Sequence, residues 1–301
     1  MKSTIYSLLY GLLAAMLSFG ATGAAKAATI DVLFYGASLT WNNALQEISD
    51  SAHTYDPWND GSNVWNAHFW MPGDPIPDFT SFDVLFIPSS PAFDSGMDPV
   101  RLLAAKGAIT GARGTRTFLT GQDADWHYIN RPGPVDDGPR GFIINAVNWA
   151  ASGAGLGIVS MADGWSGSGS QWWTHQDSFL RDELLGYNEY WQDESVYIGP
   201  GQDVFPVNEG LTTAGLSNWG ISSHAGFLAD IPGYATINFE FAGGDGRAIT
   251  VVTLGEEAGA TTPTPAPPSV GVPEPSTLVL LAGLMGLAGA GRGLKMKRRI
   301  A

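Results

Sequence analysis

Three side chains able to bind a cation stand at alternate positions in the segment Asp123-Ala124-Asp125-Trp126-His127. In an extended loop alternate residues point the same way. Asp123, Asp125 and His127 would then offer oxygen and imidazole ligands to a divalent cation such as calcium. Asp163 and Asp136-Asp137 could add carboxylates. The spacing is that of neither an EF-hand nor a zinc motif, and loop aspartates also make turns and cap helices. No other cofactor is expected. His224, in Ser222-Ser223-His224-Ala225, is a candidate base because imidazole titrates near neutrality. It could equally be a structural histidine beside a glycine loop. Ser38 could act as a nucleophile if a base and oxyanion donors stood beside it, or it could cap the next helix. Trp165, Trp172 and Trp173 lie among Gly and Ser. Their indoles suit stacking on sugar rings, or they could seal long loops onto the domain. Cysteine is absent, so disulfides, thiolate metal sites and a cysteine nucleophile are excluded.

These residues need a frame, and the middle of the chain predicts one. Ile30 to Tyr35 reads as a buried strand ending at Gly36, and Phe82 to Ile87 as a second, stopped by Pro88. Asp98-Pro99 opens a helix over Val100 to Ile109. Arg116 to Thr120 reads as a third strand, Gly141 to Ala151 as a helix and Gly157 to Ser160 as a fourth strand. Alternating strands and helices predict a mostly parallel sheet in a three-layer α/β domain over residues 28–257. Tyr234–Phe241 and Arg247–Leu254 flank Gly243-Gly244-Asp245-Gly246, which predicts an antiparallel hairpin at a sheet edge. In such folds ligands bind beyond the carboxyl ends of the strands. That rule directs attention to Gly36–Thr40, Pro88–Ser90, Gly121–His127 and Met161–Gly164.

The pieces DVLFYG, FDVLFIPSS, RTFLTGQDAD and the late histidine of NWGISSHAGF are similar to the class I glutamine amidotransferase-like fold. That resemblance implies a flavodoxin-like scaffold. The family's cysteine nucleophile would fall in the turn Gly121-Gln122-Asp123-Ala124, and the lack of cysteine argues against glutamine hydrolysis. Val32 to Trp41 also resembles the first block of GDSL/SGNH hydrolases, which implies an esterase using Ser38 with Asp123 and His224. Here Ala37 replaces that family's aspartate, and Ile221 stands where its terminal Asp-x-x-His block needs the acid.

Both ends read as addresses. Residues 1–27 begin with Lys2, run apolar from Ile5 to Phe19 and close on Ala25-Lys26-Ala27 before Ala28. This is a signal-peptide pattern and predicts a signal helix removed by signal peptidase after Sec-dependent export. Residues 258–271 form a Pro/Thr-rich linker. Val272-Pro273-Glu274-Pro275-Ser276, an apolar run predicting a transmembrane helix over 277–294, and a basic tail ending Lys297-Arg298-Arg299 resemble a PEP-CTERM sorting domain. The resemblance implies recognition by an exosortase, cleavage near Pro273-Glu274-Pro275 and a transient anchor in the inner membrane. It further implies delivery to the outer surface of a Gram-negative cell that makes exopolysaccharide.

With 44% hydrophobic and 15% charged residues the chain is neither collagen, coiled coil nor wholly disordered. Seven of its fifteen basic residues lie in the two ends, leaving eight against 28 acidic residues between them, a balance of −20. Such a surface repels nucleic acid. The leading expectation is therefore an exported, non-catalytic surface domain that binds an envelope or exopolysaccharide-matrix ligand. The alternatives are a secreted serine hydrolase and a purely structural matrix component.

Overall fold

A computed structural model describes residues 29–36, 38–57, 62–89, 98–130, 137–163, 172–228 and 231–254. They belong to a compact unit spanning Met1–Ala258, distinct from Gly259–Ala301. The signal segment, linker, sorting signal and predicted span 277–294 lie outside the described residues. Among the described residues no helix is long and apolar enough to cross a membrane.

Most of the expected elements form. The apolar run after Ala28 is β1 (Thr29–Tyr35), and α1 (Leu39–Ser51) follows it, capped by Ser38. β2 (Val64–Trp70) adds a strand to those that the sequence predicts, its aromatic and polar residues giving no continuous apolar run. β3 is Val84–Ile87. The helix begun at Asp98 accepts Val100 N on Asp98 Oδ1 at 3.0 Å and breaks into α2 (Val100–Ala104) and α3 (Lys106–Ala112). β4 (Arg113–Thr120), α4 (Ala124–Asn130), α5 (Asp137–Ala151) and β5 (Leu156–Ser160) come next. The remainder comprises α6 (Arg181–Leu184), β6 (Asn188–Asp193), β7 (Tyr197–Ile198), α7 (Thr213–Leu216), β8 (Ser223–Phe227), β9 (Tyr234–Phe239) and β10 (Ala248–Thr253).

The described strands form one sheet in the order β2-β1-β3-β5-β4-β10-β8-β6, with β9 on β10 and β7 on β9. From β2 to β4 every pairing is parallel, and from β10 onward every pairing is antiparallel. This is a general α/β fold whose order departs from the expected flavodoxin-like one. A flavodoxin-like sheet runs 2-1-3-4-5, whereas here β5 is inserted between β3 and β4. Strand order is decided by long-range packing. A Cβ on Gly114 would meet the Ala154 carbonyl oxygen at 1.7 Å, so the start of β4 and the approach to β5 lie backbone against backbone. The hairpin also differs from expectation, since β10 is an inner strand paired to both β4 and β9.

Alternate side chains of β1 enter opposite cores, as a strand covered on both faces requires. Val32 and Phe34 pack with Leu45 and Ile48 of α1 and Phe142 and Val147 of α5. Leu33 and Tyr35 pack on the other face with Leu102 of α2, Ile109 of α3, Trp172 and Trp173. Trp172 and Trp173 are 1% and 0% exposed, which corrects their assignment as sugar-stacking residues. Trp173 stacks on Phe227 and donates its indole N–H to Ser160 Oγ at 2.9 Å. Burial of each such side chain stabilises the domain by about 1.5–3 kcal/mol.

Candidate functional site

The site begins with Gly121, where β4 ends. Its N–H donates to Ile249 O on β10 at 2.8 Å, and its carbonyl accepts His224 N of β8 at 2.7 Å. A Cβ here would lie 1.7 Å from Ala225 O. Only glycine lets the β8 backbone approach this closely, and the approach carries His224 to the end of the parallel strands.

Three residues later α4 starts, and His127 N donates to Asp123 O at 3.1 Å. Helical rather than extended backbone therefore governs this segment, and positions four apart share a face. Asp123 and His127 meet, with Oδ1 to Nε2 at 3.1 Å, while His224 Nε2 lies 3.1 Å from Asp123 Oδ2. The three residues each present one ligand-capable atom within 4.8 Å of the others. The expected set of Asp123, Asp125 and His127 is thus corrected, with His224 in the place of Asp125. Asp125 turns toward the core, where its Oδ2 accepts Trp41 Nε1 and Ser89 N, both at 2.8 Å. Asp163 also faces inward and accepts Trp173 N at 3.2 Å.

The environment is dry. Asp123, Asp125 and His127 are all buried, and the His127 ring is flanked by those of Trp126 and Trp219. Burial pushes the Asp123 carboxyl up, but the bonds and charges of His127 and His224 outweigh it and hold it below the usual carboxylate range. Burial likewise pulls His127 down, and the Asp123 carboxylate overrides this and raises it. Asp125 has weaker support. Burial pushes it up to about 6 against the Trp41 and Ser89 donors, with the Asp123 charge adding to the rise.

His127 Nε2 also sits 2.8 Å from Ile221 O. A carbonyl only accepts, so that nitrogen carries the proton and aims it there. Asp123 Oδ1 and His127 Nδ1 remain buried without hydrogen-bond partners. On the third arm, His224 Nδ1 faces Gln192 Nε2 at 3.4 Å.

Ser38 has a different task. Its Oγ accepts Trp41 N at 3.4 Å as the N-cap of α1. His224 Nε2 pairs with Asp123. The structure thus unites two of the three hydrolase candidates, Asp123 and His224, while the third, Ser38, caps α1. Ala27, Ala28, Trp165, Asp136, Pro273, Glu274 and Pro275 lie outside the described residues.

Sequence reasoning missed Gly121 as the contact that admits β8, and Trp41 and Ser89 as the donors to Asp125. A four-residue Asp-to-His spacing on a recognised helix would have exposed the first pair. Nothing local signals the arrival of His224.

The nitrogen and oxygen donors suit a transition metal better than calcium, which takes six to eight oxygens. Glutamine hydrolysis has no cysteine to begin from, and the carboxylate in that turn is already engaged by two imidazoles.

Neither the curated proteins nor the solved structures contain a match to this chain. Residues 271–299 match the PEP-CTERM protein-sorting motif, which supports an exosortase as the chain's partner and export to the cell surface or beyond as its fate.

Proposed function

We propose that this chain is an exosortase-processed surface protein whose α/β domain, once outside, binds an envelope or exopolysaccharide-matrix ligand and is not an enzyme. The sorting motif at residues 271–299 carries the reading. A signal peptide at 1–27 would bring the chain to the Sec translocase and signal peptidase, and the run 277–294 would hold it briefly in the inner membrane. The −20 balance of the middle segment favours cationic or neutral partners over nucleic acid and anionic lipid. Ser38 is committed to capping a helix, which supports binding over ester hydrolysis. Deleting residues 272–301 should abolish surface delivery while leaving export intact. Pull-down with host polysaccharide should retain the mature domain. Unaltered surface display of the truncated chain would refute the sorting assignment, and failure to bind matrix material would refute the ligand.

One observation favours the structural reading as an alternative. Ser89, Gln122, Asp123, Asp125, Ser160 and Asp163, at the carboxyl ends of the strands, are all buried. The domain thus packs its own side chains where α/β proteins commonly seat a ligand. A matrix weakened by deletion of the protein, without polysaccharide binding by the domain, would select this reading.

A further inference from the structure

We infer that Asp123, His127 and His224 form a site for a single divalent transition-metal ion of the zinc class, joining the parallel and antiparallel halves of the sheet. The inference goes beyond the surface-binding proposal and does not depend on it. Zinc binds imidazole nitrogen and carboxylate oxygen at about 2.0–2.2 Å, so neighbouring ligand atoms around it lie about 3 Å apart. Here each carboxylate oxygen of Asp123 lies 3.1 Å from an imidazole Nε2, one on His127 and the other on His224. One ligand atom from each of the three residues lies within 4.8 Å of the others, so small side-chain rotations would close them on a shared ion.

A second observation points to a missing partner. Asp123 is 5% exposed, yet its Oδ1 has no hydrogen-bond partner. Buried polar atoms are nearly always satisfied. An ion on Asp123 would engage the stranded oxygen, and the imidazole Nε2 protons would pass to solvent as the nitrogens took up the metal. His127 is fixed by α4 and Asp123 by its place just before that helix, where its carbonyl accepts His127 N, while His224 is fixed by the β8 backbone held at Gly121. Two nitrogens and a carboxylate favour zinc and its neighbours over calcium.

The test uses the full chain, stripped with a chelator and titrated with Zn²⁺, with bound metal measured by elemental analysis. One ion per chain is expected, together with a higher thermal midpoint. Asp123→Asn and His224→Gln, which preserve shape, should each weaken binding by at least about 100-fold, because losing a ligand costs more than losing an outer-shell partner. Should a variant fail to fold, cobalt(II) provides a readout on the unmutated protein, where a visible d–d spectrum of low coordination number is expected. Absence of stoichiometric zinc and of that spectrum would overturn the site. So would binding left unchanged in both folded variants, which would place the ions on the acidic surface.

Discussion

In the parallel half of the sheet, β1, β3 and β5 are buried almost throughout. In the antiparallel half, β6 carries Asn188, Glu189, Tyr190, Trp191, Gln192 and Asp193, none of them fully buried. The first half is held by apolar surface on both faces. The second also buries β8 and β10, but its outer part is fastened by polar ties whose geometry must be correct. Arg113 of β4 binds both oxygens of Glu183 on α6, at 2.5 and 2.8 Å, and reaches Tyr234 of β9. Arg247 pairs with Glu189 and Glu240 and lies over the Trp191 ring. Asp123 and His224 make the tie nearest the carboxyl ends of the parallel strands. Non-directional burial thus builds the inner strands of both halves, while directional contacts fix the antiparallel edge and its seam with the parallel strands.

The seam should be the most sensitive place. Gly121→Ala puts a methyl group 1.7 Å from Ala225 O and should cost about 4 kcal/mol or more in urea unfolding, or prevent folding altogether. A loss below about 1 kcal/mol would show that the halves slide freely. Trp173→Ala should cost about 3–5 kcal/mol, because it empties a core position rather than a sugar platform. A thermal midpoint left unchanged, with polysaccharide binding reduced, would restore the stacking role.

Smaller effects sharpen the contrast. Ser38→Ala removes a helix cap and should cost about 1 kcal/mol without altering ester turnover. An esterase signal lost in that variant would revive the hydrolase. Glu183 should confer a pH dependence. Burial pushes its carboxyl up, but Arg113 and Tyr234 outweigh this and hold it below its ordinary value of 4.5. A depressed carboxylate contributes stability that is complete above the unfolded value and lost as pH falls through the folded one. Glu183→Gln should therefore weaken the protein by about 1 kcal/mol near neutrality, its half-exposed setting limiting the effect. The difference from the parent should shrink below pH 4.5, and a constant difference across that range would remove Glu183 as the source.

The same division explains what the sequence disclosed. Continuous apolar runs betrayed β1, β3 and β5, and Asp98-Pro99 betrayed a helix start, because burial and capping leave local marks. β2 and β6 escaped because aromatic and polar residues alternate in half-covered strands without a clean period. The order β3-β5-β4 depends on the approach of Gly114 to Ala154 across 40 residues, and no local pattern encodes it. Alternation in the sequence groups Asp123 and His127 on an extended repeat where the helix sets them four apart, and His224 joins Asp123 there only through the hydrolase resemblance. Their convergence belongs to the tertiary fold. The tail differs again, because a sorting signal is read by its receptor as linear sequence and was legible without any fold.

The claim that Asp123 and His224 couple the two halves is tested most directly by a double-mutant cycle on metal-free protein. Asp123→Asn and His224→Gln would be measured singly and together by equilibrium unfolding. A direct contact predicts a coupling of about 1 kcal/mol or more. Losses that add to within about 0.3–0.5 kcal/mol would mean that the two side chains do not interact, and the seam would have to be held elsewhere.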